Sequence, residues 1–303
     1  KDIKIIQYLY NTFKDTIDIN RQDKHGDTAF MLAAKYNTNV AVIQYLCDKF
    51  KDTIDINKQD NKGYTAFMLA VRFNTNEKVT QCLCDTFKDT IDTDLQDNHR
   101  YNAFMFAVRF NTNEKVTQCL CDTFKGKIYI KRLNYDDGNT ALMLAIQYNT
   151  NEKVIQYLCE TFKDTIDINI QDKYGNTVLM YAVQYNTNVE VIQYLCDIYK
   201  NTIDINQRNN YGYPVLILAA RYNKNVKVTQ CLCDAFKDTI DINIQDIGAD
   251  TARIFSIRAR NTAVMEYLYR LIVINAQNKN GDTEFMIEVK PGDNINSLEY
   301  LCD

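Results

Sequence analysis

The 303-residue chain is poor in proline and glycine, with two and nine respectively. That scarcity excludes collagen-like and linker-rich architecture. Serine is almost absent, only Ser256 and Ser297, so a Ser-His-Asp nucleophile has little to draw on. The two histidines are His25 and His99. No phosphate-binding glycine motif is present. No apolar run approaches the roughly 18 residues of a membrane helix. Neither charge sign dominates: 35 basic residues face 39 acidic ones, a net charge of −4, so nothing draws the whole chain toward nucleic acid. An initiator Met and a signal sequence are also missing at Lys1, from which we expect a piece of a longer chain.

What is present is a repeat. Hydrophobic residues make up 46% and charged residues 24%, as in folded globular chains. Asp27-Thr-Ala-Phe-Met-Leu-Ala-Ala returns as Tyr64-Thr-Ala-Phe-Met-Leu-Ala-Val. The second residue of each copy is Thr28, Thr65, Asn102, Thr140, Thr177, Pro214, Thr251 and Thr283, at spacings of 37, 37, 38, 37, 37, 37 and 32. A period held this strictly means a solenoid. The spacing predicts one array over 1–303, with a partial repeat at 1–22. Repeats then start near 23, 60, 97, 135, 172, 209 and 246, and a divergent one occupies 278–303.

Each unit predicts two helices. A Thr before an apolar run, as at Thr65, is a helix N-cap signal, and Pro214 suits the same slot. Asn74-Thr-Asn76 breaks the pattern before a second helix, Val79-Thr-Gln-Cys-Leu-Cys-Asp-Thr-Phe. A stretch such as Lys51-Asp-Thr-Ile-Asp-Ile-Asn follows, rich in turn residues. Gly26, Gly63, Gly138, Gly175, Gly212 and Gly281 share one slot two residues before the Thr, which predicts positive φ there.

These residues resemble the ankyrin repeat family. The shared pattern is Asp-x-x-Gly-x-Thr-x-x-x-Leu-Ala-Ala, then Val-Ile-Gln-Tyr-Leu, then Ile-Asp-Ile-Asn-x-Gln-Asp, as from Asp23 through Asp60. The resemblance implies an all-α, ankyrin-like helical-repeat solenoid with short β-hairpin-like tips, those tips lying on a concave, ligand-facing side. The family's Thr-Pro-Leu-His becomes Thr28-Ala-Phe-Met31, so packing by Met must replace the His that hydrogen-bonds its neighbours. Each unit exceeds the familiar 33 residues by four, which implies a longer second helix or a longer loop after it. Both ends fall inside a repeat, so exposed apolar ends are expected to meet further chain or a partner.

The ten cysteines fall into repeat slots. Cys47, Cys84, Cys121, Cys159, Cys196, Cys233 and Cys302 share one, with Tyr10 and Tyr269 replacing Cys in other copies. Cys82, Cys119 and Cys231 share a second, which elsewhere holds Tyr45, Tyr157, Tyr194 and Tyr300. Exchange of Cys with Tyr reads as packing. Equivalent cysteines on helices about 8–10 Å apart lie beyond disulfide reach. Cys82 and Cys84 point to different faces, so a shared metal is not expected. Free thiols in number imply a reducing compartment, cytosol or nucleus. Both histidines sit at turn tips two repeats apart and read as solvated. Asp pairs such as Asp52/Asp55 and Asp89/Asp92 recur in nearly every unit, as turn formers do and catalytic pairs do not. We expect no enzyme, cofactor or metal in this segment.

Slots that vary between copies are free to specify a partner. Immediately before the Thr slot stand Asp27, Tyr64, Tyr101, Asn139, Asn176, Tyr213, Asp250 and Asp282. Three before it stand His25, Lys62, His99, Asp137, Tyr174, Tyr211, Gly248 and Asn280. Tyr64, Tyr101, Tyr174, Tyr211 and Tyr213 would form an aromatic ridge, or else vary freely on a wet loop. Seven residues after the Thr slot come Lys35, Arg72, Arg109, Gln147, Gln184, Arg221, Arg258 and Lys290. They read as a positive strip for an acidic or phosphate-bearing partner, or as a solvated helix face. The neighbouring Tyr36, Phe73, Phe110, Tyr148, Tyr185 and Tyr222 hardly vary and read as packing. Lys125 to Arg132 replaces the usual turn in one unit and reads as a partner-specific loop or a tolerated defect.

The function expected is a protein–protein interaction scaffold or adaptor holding its partner on the concave surface. The alternatives are a structural component lining a filament or large assembly through many weak contacts, and the non-catalytic targeting region of a larger effector enzyme acting in a host cell. The partner expected is another protein, with an acidic segment, or a second copy met through exposed array ends. No membrane is expected, and nucleic acid is disfavoured.

Overall fold

A computed structural model describes residues 3–131, 133–134, 137–186 and 188–275, with side chains to 272. The divergent repeat 278–303, with Asp282, Lys290 and Cys302, lies outside the described residues, as does Arg132. The chain divides into two compact units, Lys1–Ile203 and Asp204–Asp303.

In the first unit short and long helices alternate. The short ones are α2 (Ala29–Tyr36), α4 (Ala66–Phe73), α6 (Ala103–Phe110), α8 (Ala141–Tyr148) and α10 (Val178–Tyr185). The long ones are α1 (Ile3–Phe13), α3 (Val40–Phe50), α5 (Glu77–Phe87), α7 (Glu114–Phe124), α9 (Glu152–Thr161) and α11 (Val189–Tyr199). Each short helix stacks on the next short one and each long on the next long. The second unit holds α12 (Val215–Tyr222), α13 (Val226–Ala235), α14 (Ala252–Arg258) and α15 (Thr262–Asn275), with the same two stackings, α12 on α14 and α13 on α15. No helix among the described residues is long and apolar enough to cross a membrane.

Sequence explains each element. The short helices are apolar almost all round, and in α4 every residue from Ala66 to Val71 is buried. The long helices are amphipathic: α5 buries Val79, Cys82, Leu83, Cys84 and Phe87 and leaves Lys78, Gln81 and Asp85 to solvent. The expected caps form in the first unit, whereas in the second unit Pro214 and Thr251 start α12 and α14 without a side-chain cap bond. The side chains of Thr28, Thr65, Asn102, Thr140 and Thr177 each accept a hydrogen bond from the third backbone N–H of their helix. Methionine does more than pack in place of the missing His. The Sδ of Met31 accepts from Thr28 N–H at 3.3 Å, closing the cap from the other side, and Met143 and Met180 do the same.

The Asn-Thr-Asn break is a double cap. Asn74 ends α4, its N–H bonded to Ala70 C=O, and Asn76 starts α5 by accepting from Lys78 N–H. The extra residues after the second helix form a closing turn, in which the N–H groups of Thr53 and Ile54 both bond to Phe50 C=O. In the irregular unit a 3-10 turn, Lys125–Lys127, does this work, and Ile130 stays buried. The hairpin-like tips shrink to isolated bridges, Gln22 with Thr28 and Arg208 with Pro214.

The tip glycine slot behaves as expected. At Gly63 φ is +85°, and a Cβ there would lie 2.8 Å from Asp97 Cα in the next tip. Arg100 and Ala249 take the same slot at φ 63°. Such a conformation costs a side-chain residue roughly 1–2 kcal/mol. Ala249→Gly is therefore expected to stabilise the second unit by about 0.5–1 kcal/mol after the added freedom of the unfolded glycine is subtracted. A lowered urea midpoint would contradict this.

Candidate partner-binding surface

The two variable columns are one structure. A residue just before the N-cap and a residue next to the helix end are eight apart, and a long side chain spans that distance along the short helix. In the first unit Arg72 Nη1 donates to the Tyr64 hydroxyl at 2.6 Å, and Arg109 donates likewise to Tyr101. Asp27 and Lys35 attract each other; burial, then Asp60 and Asp23, still push the Asp27 carboxyl above its usual value. In the second unit Arg221 donates to Tyr213 at 3.2 Å, and Arg258 forms a two-pronged ion pair with Asp250. The sequence carries the same coupling: a cation stands wherever the tip residue is Tyr or Asp, and Gln147 and Gln184 stand where it is Asn139 or Asn176.

The aromatic residues that read as packing are instead exposed. Tyr36, Phe73, Phe110, Tyr148, Tyr185 and Tyr222 end their short helices with 41% to 66% of their surface open to solvent. From Tyr36 to Tyr148 their near-constancy has a different cause, because each cation there lies between two of them. Lys35 Nζ is 4.8 Å from the ring centre of Tyr36 and 4.9 Å from that of Phe73. The Arg72 guanidinium is 4.7 Å from Phe73 and 4.4 Å from Phe110, and Arg109 is 4.8 Å from Phe110 and 4.0 Å from Tyr148. In the second unit Arg221 lies 5.0 Å from Tyr222. Cation–π contact and the helix C-terminus both favour a cation at this position.

The tip ridge needs correction. Tyr101 is buried, with 5% of its surface exposed, stacked on Phe106 at 5.5 Å. Its hydroxyl also accepts from Asn134 Nδ2 at 2.8 Å. Tyr64 is half-buried, edge-on to Phe106 at 5.4 Å, and Tyr213 meets Phe255 in the same way. Only Tyr174 and Tyr211 are exposed tips, Tyr174 beside the Lys173–Asp137 ion pair and Tyr211 stacked on Tyr213. The positive strip is narrowed too. Arg258 is matched by a carboxylate in a direct ion pair, whereas Arg72, Arg109 and Arg221 donate to phenol hydroxyls. Beneath this surface Asp97 is buried and held above the usual carboxylate range by desolvation, against the N–H bonds it accepts from Tyr101 and His99.

Depressions open between successive repeats along this row. One of about 270 Å³ is lined by Gln147, Tyr148, Tyr185 and Asn186, among others. In the second unit one of about 520 Å³ is lined by Tyr213, Arg221, Tyr222, Phe255 and Arg258, among others. A separate groove of about 580 Å³ lies along the irregular loop, with Lys125, Tyr129, Lys131, Phe162 and Asp164 in its walls. His25 and His99 are both exposed at tips. Among the described residues no three His, Cys, Asp or Glu side chains gather as a metal site would require. The exposed aromatic row was the feature sequence reasoning missed. Its available signal was the match between tip residue and cation eight positions on.

A family model of ankyrin repeats, in three copies, matches residues 1–97, 79–172 and 162–246. No curated protein sequence matches the chain. Among solved structures, the ankyrin repeat domain of Bcl-3, a member of the IkappaB protein family, superposes with a TM-score of 0.61 at 22% identity, over 82% of this chain and 100% of that one. A structure of the predatory endopeptidase Bd0816 from Bdellovibrio bacteriovorus in complex with the immunity protein Bd3460 matches with a TM-score of 0.54 at 24% identity, over 71% of this chain and 99% of the matched chain.

Proposed function

Because the chain belongs to the ankyrin repeat family, whose repeats are generally protein–protein interaction modules, we propose that it is a binding scaffold that holds an extended acidic segment of a partner protein. The segment lies along the row of Lys35, Tyr36, Arg72, Phe73, Arg109, Phe110 and Tyr148 in the first unit. The observation that carries this reading is the alternation of exposed aromatic rings with the cations Lys35, Arg72 and Arg109 in three successive repeats. Tyr and Arg are the residues most enriched at interface hot spots. Carboxylates of a partner meet guanidinium groups already oriented by Tyr64 and Tyr101, so little side-chain freedom remains to be lost on binding. By family resemblance this face is the concave one. The described cysteines are free thiols, which is what supports a reducing compartment as the chain's setting.

The test is capture of partners from the source organism's lysate by the chain and by a Tyr36→Ser/Arg72→Gln/Tyr148→Ser variant. A protein held at low salt, released as salt rises and lost by the variant is the expected result. Unchanged capture by a folded variant would remove this row as the site. A second reading, self-association, draws on the apolar side chains of Ile5, Tyr8, Leu9 and Phe13 exposed on α1. Light scattering distinguishes it: a dimer or filament that forms without any partner and persists in the triple variant favours self-association.

A further inference from the structure

The cysteine slots meet across repeats in a way that slot-by-slot spacing hides. Equivalent thiols are one repeat apart, but the first slot of one repeat faces the second slot of the next. Tyr10 and Tyr45 occupy that junction as rings 5.9 Å apart, and Cys84 and Cys119 occupy it with sulfurs 3.4 Å apart. All three second-slot cysteines, Cys82, Cys119 and Cys231, have a cysteine 35 residues earlier, at Cys47, Cys84 and Cys196.

We propose that Cys84 and Cys119 form an oxidation site, at which a hydroperoxide converts two thiols into a disulfide that ties α5 to α7. The sulfurs need to approach by only about 1.4 Å to reach bonding distance. They sit on helices that already pack side by side. Cys119 is the sulfur nearer to solvent, with 7% of its surface exposed against none for Cys84. The Cys84 thiol and the Thr123 hydroxyl also hold the Cys119 thiol below its ordinary value, while the hydrogen bond with Cys119 and burial push Cys84 far up. Cys119 is therefore the attacking thiolate. Its sulfur bonds to one peroxide oxygen, the O–O bond breaks, and the leaving hydroxide takes up a proton as water. Cys84 sulfur then attacks the sulfenic sulfur, the S–O bond breaks, and the hydroxide leaves with the Cys84 proton as a second water. The two sulfurs together lose two electrons and the peroxide gains them. The thiols of Cys121, Cys159 and Cys233 serve as internal controls, since burial pushes them up to about 12, 12 and 11.

The test is brief hydrogen peroxide treatment of the folded chain, alkylation of remaining thiols, and digestion after arginine. Trypsin is unsuitable because residues 79–88 and 116–125 are identical in sequence. The expected product is peptide 73–100 joined to peptide 110–132, with fragment ions placing the link between Cys84 and Cys119. Dithiothreitol reverses it, and unfolding the chain in guanidinium before oxidation abolishes its selectivity. In Cys84→Ala the Cys119 sulfenic acid is expected to persist and react with dimedone. The wild-type linkage decides the matter if that variant does not fold. Full alkylation of both cysteines after peroxide, a bridge at Cys47–Cys82 alone, or a Cys119 sulfinic acid without any bridge overturns the proposal.

Discussion

Tyr101→Ala is expected to destabilise the first unit by about 3–4 kcal/mol, the range for removing a buried aromatic side chain. The ring is buried and stacked on Phe106, so truncation leaves a void in a row of aromatic contacts. Its hydroxyl accepts from both Arg109 and Asn134 Nδ2. Asn134 is itself buried and shapes the irregular tip by accepting from Asn139 N–H at 2.7 Å. Without the phenol a buried amide donor is left unpaired, which adds to the cost of the void. Tyr101→Phe keeps the ring and is expected to cost only about 1–2 kcal/mol, which separates the two contributions. Tyr148→Ala, at the exposed end of α8, should change stability by less than about 0.5 kcal/mol. Urea unfolding followed by circular dichroism measures all three. If Tyr101→Ala unfolds with the wild type, the residue belongs to an exposed ridge after all.

Asn149→Ala should cost about 2–4 kcal/mol, from hydrogen bonds that cross between repeats. The Asn149 amide donates to Val108 C=O at 2.8 Å and Asn111 C=O at 3.0 Å, at the end of the preceding short helix. Its Oδ1 accepts from Asn151 N–H at 2.9 Å. Helix C-terminal carbonyls have no partner within their own helix, and here they are buried under the next repeat. Removal of the amide leaves them without water or protein to bond. The arrangement recurs: Asn74 bonds to Ala34 and Asn37 carbonyls, and Asn111 to Val71 C=O. Asn261 does the same for Asn223 in the second unit. Because each repeat contacts only its neighbours, the loss should uncouple unfolding on the two sides of Asn149 and broaden the transition. A single sharp transition at the wild-type midpoint would count against this account.

The asparagines mark where sequence reading stopped. Asn-Thr-Asn between helices was legible as a break, because it interrupts an apolar pattern. The double cap followed from the same three residues once the backbone was seen. The bonds from Asn74 and Asn149 to carbonyls 37 to 41 residues earlier were not legible, since no local pattern shows which groups another repeat will cover. The cysteines teach the same lesson. Comparison of equivalent slots removed disulfides from view, whereas the close pair joins unlike slots in adjacent repeats.

Local physics settled the period, the paired helices, the N-caps and the positive φ of the tip glycines, because each depends on residues within a few positions of one another. Tertiary structure decided exposure. Tyr64 and Tyr101 share a slot, yet Tyr101 is the buried one, enclosed by Phe106 and by Asn134 of the following repeat. Phe73 and Phe110 are as constant as core residues yet stand in solvent, held by the cations beside them. Constancy between copies records that a side chain has a fixed partner. Whether that partner is a buried ring or a surface guanidinium depends on where the next repeat comes to rest.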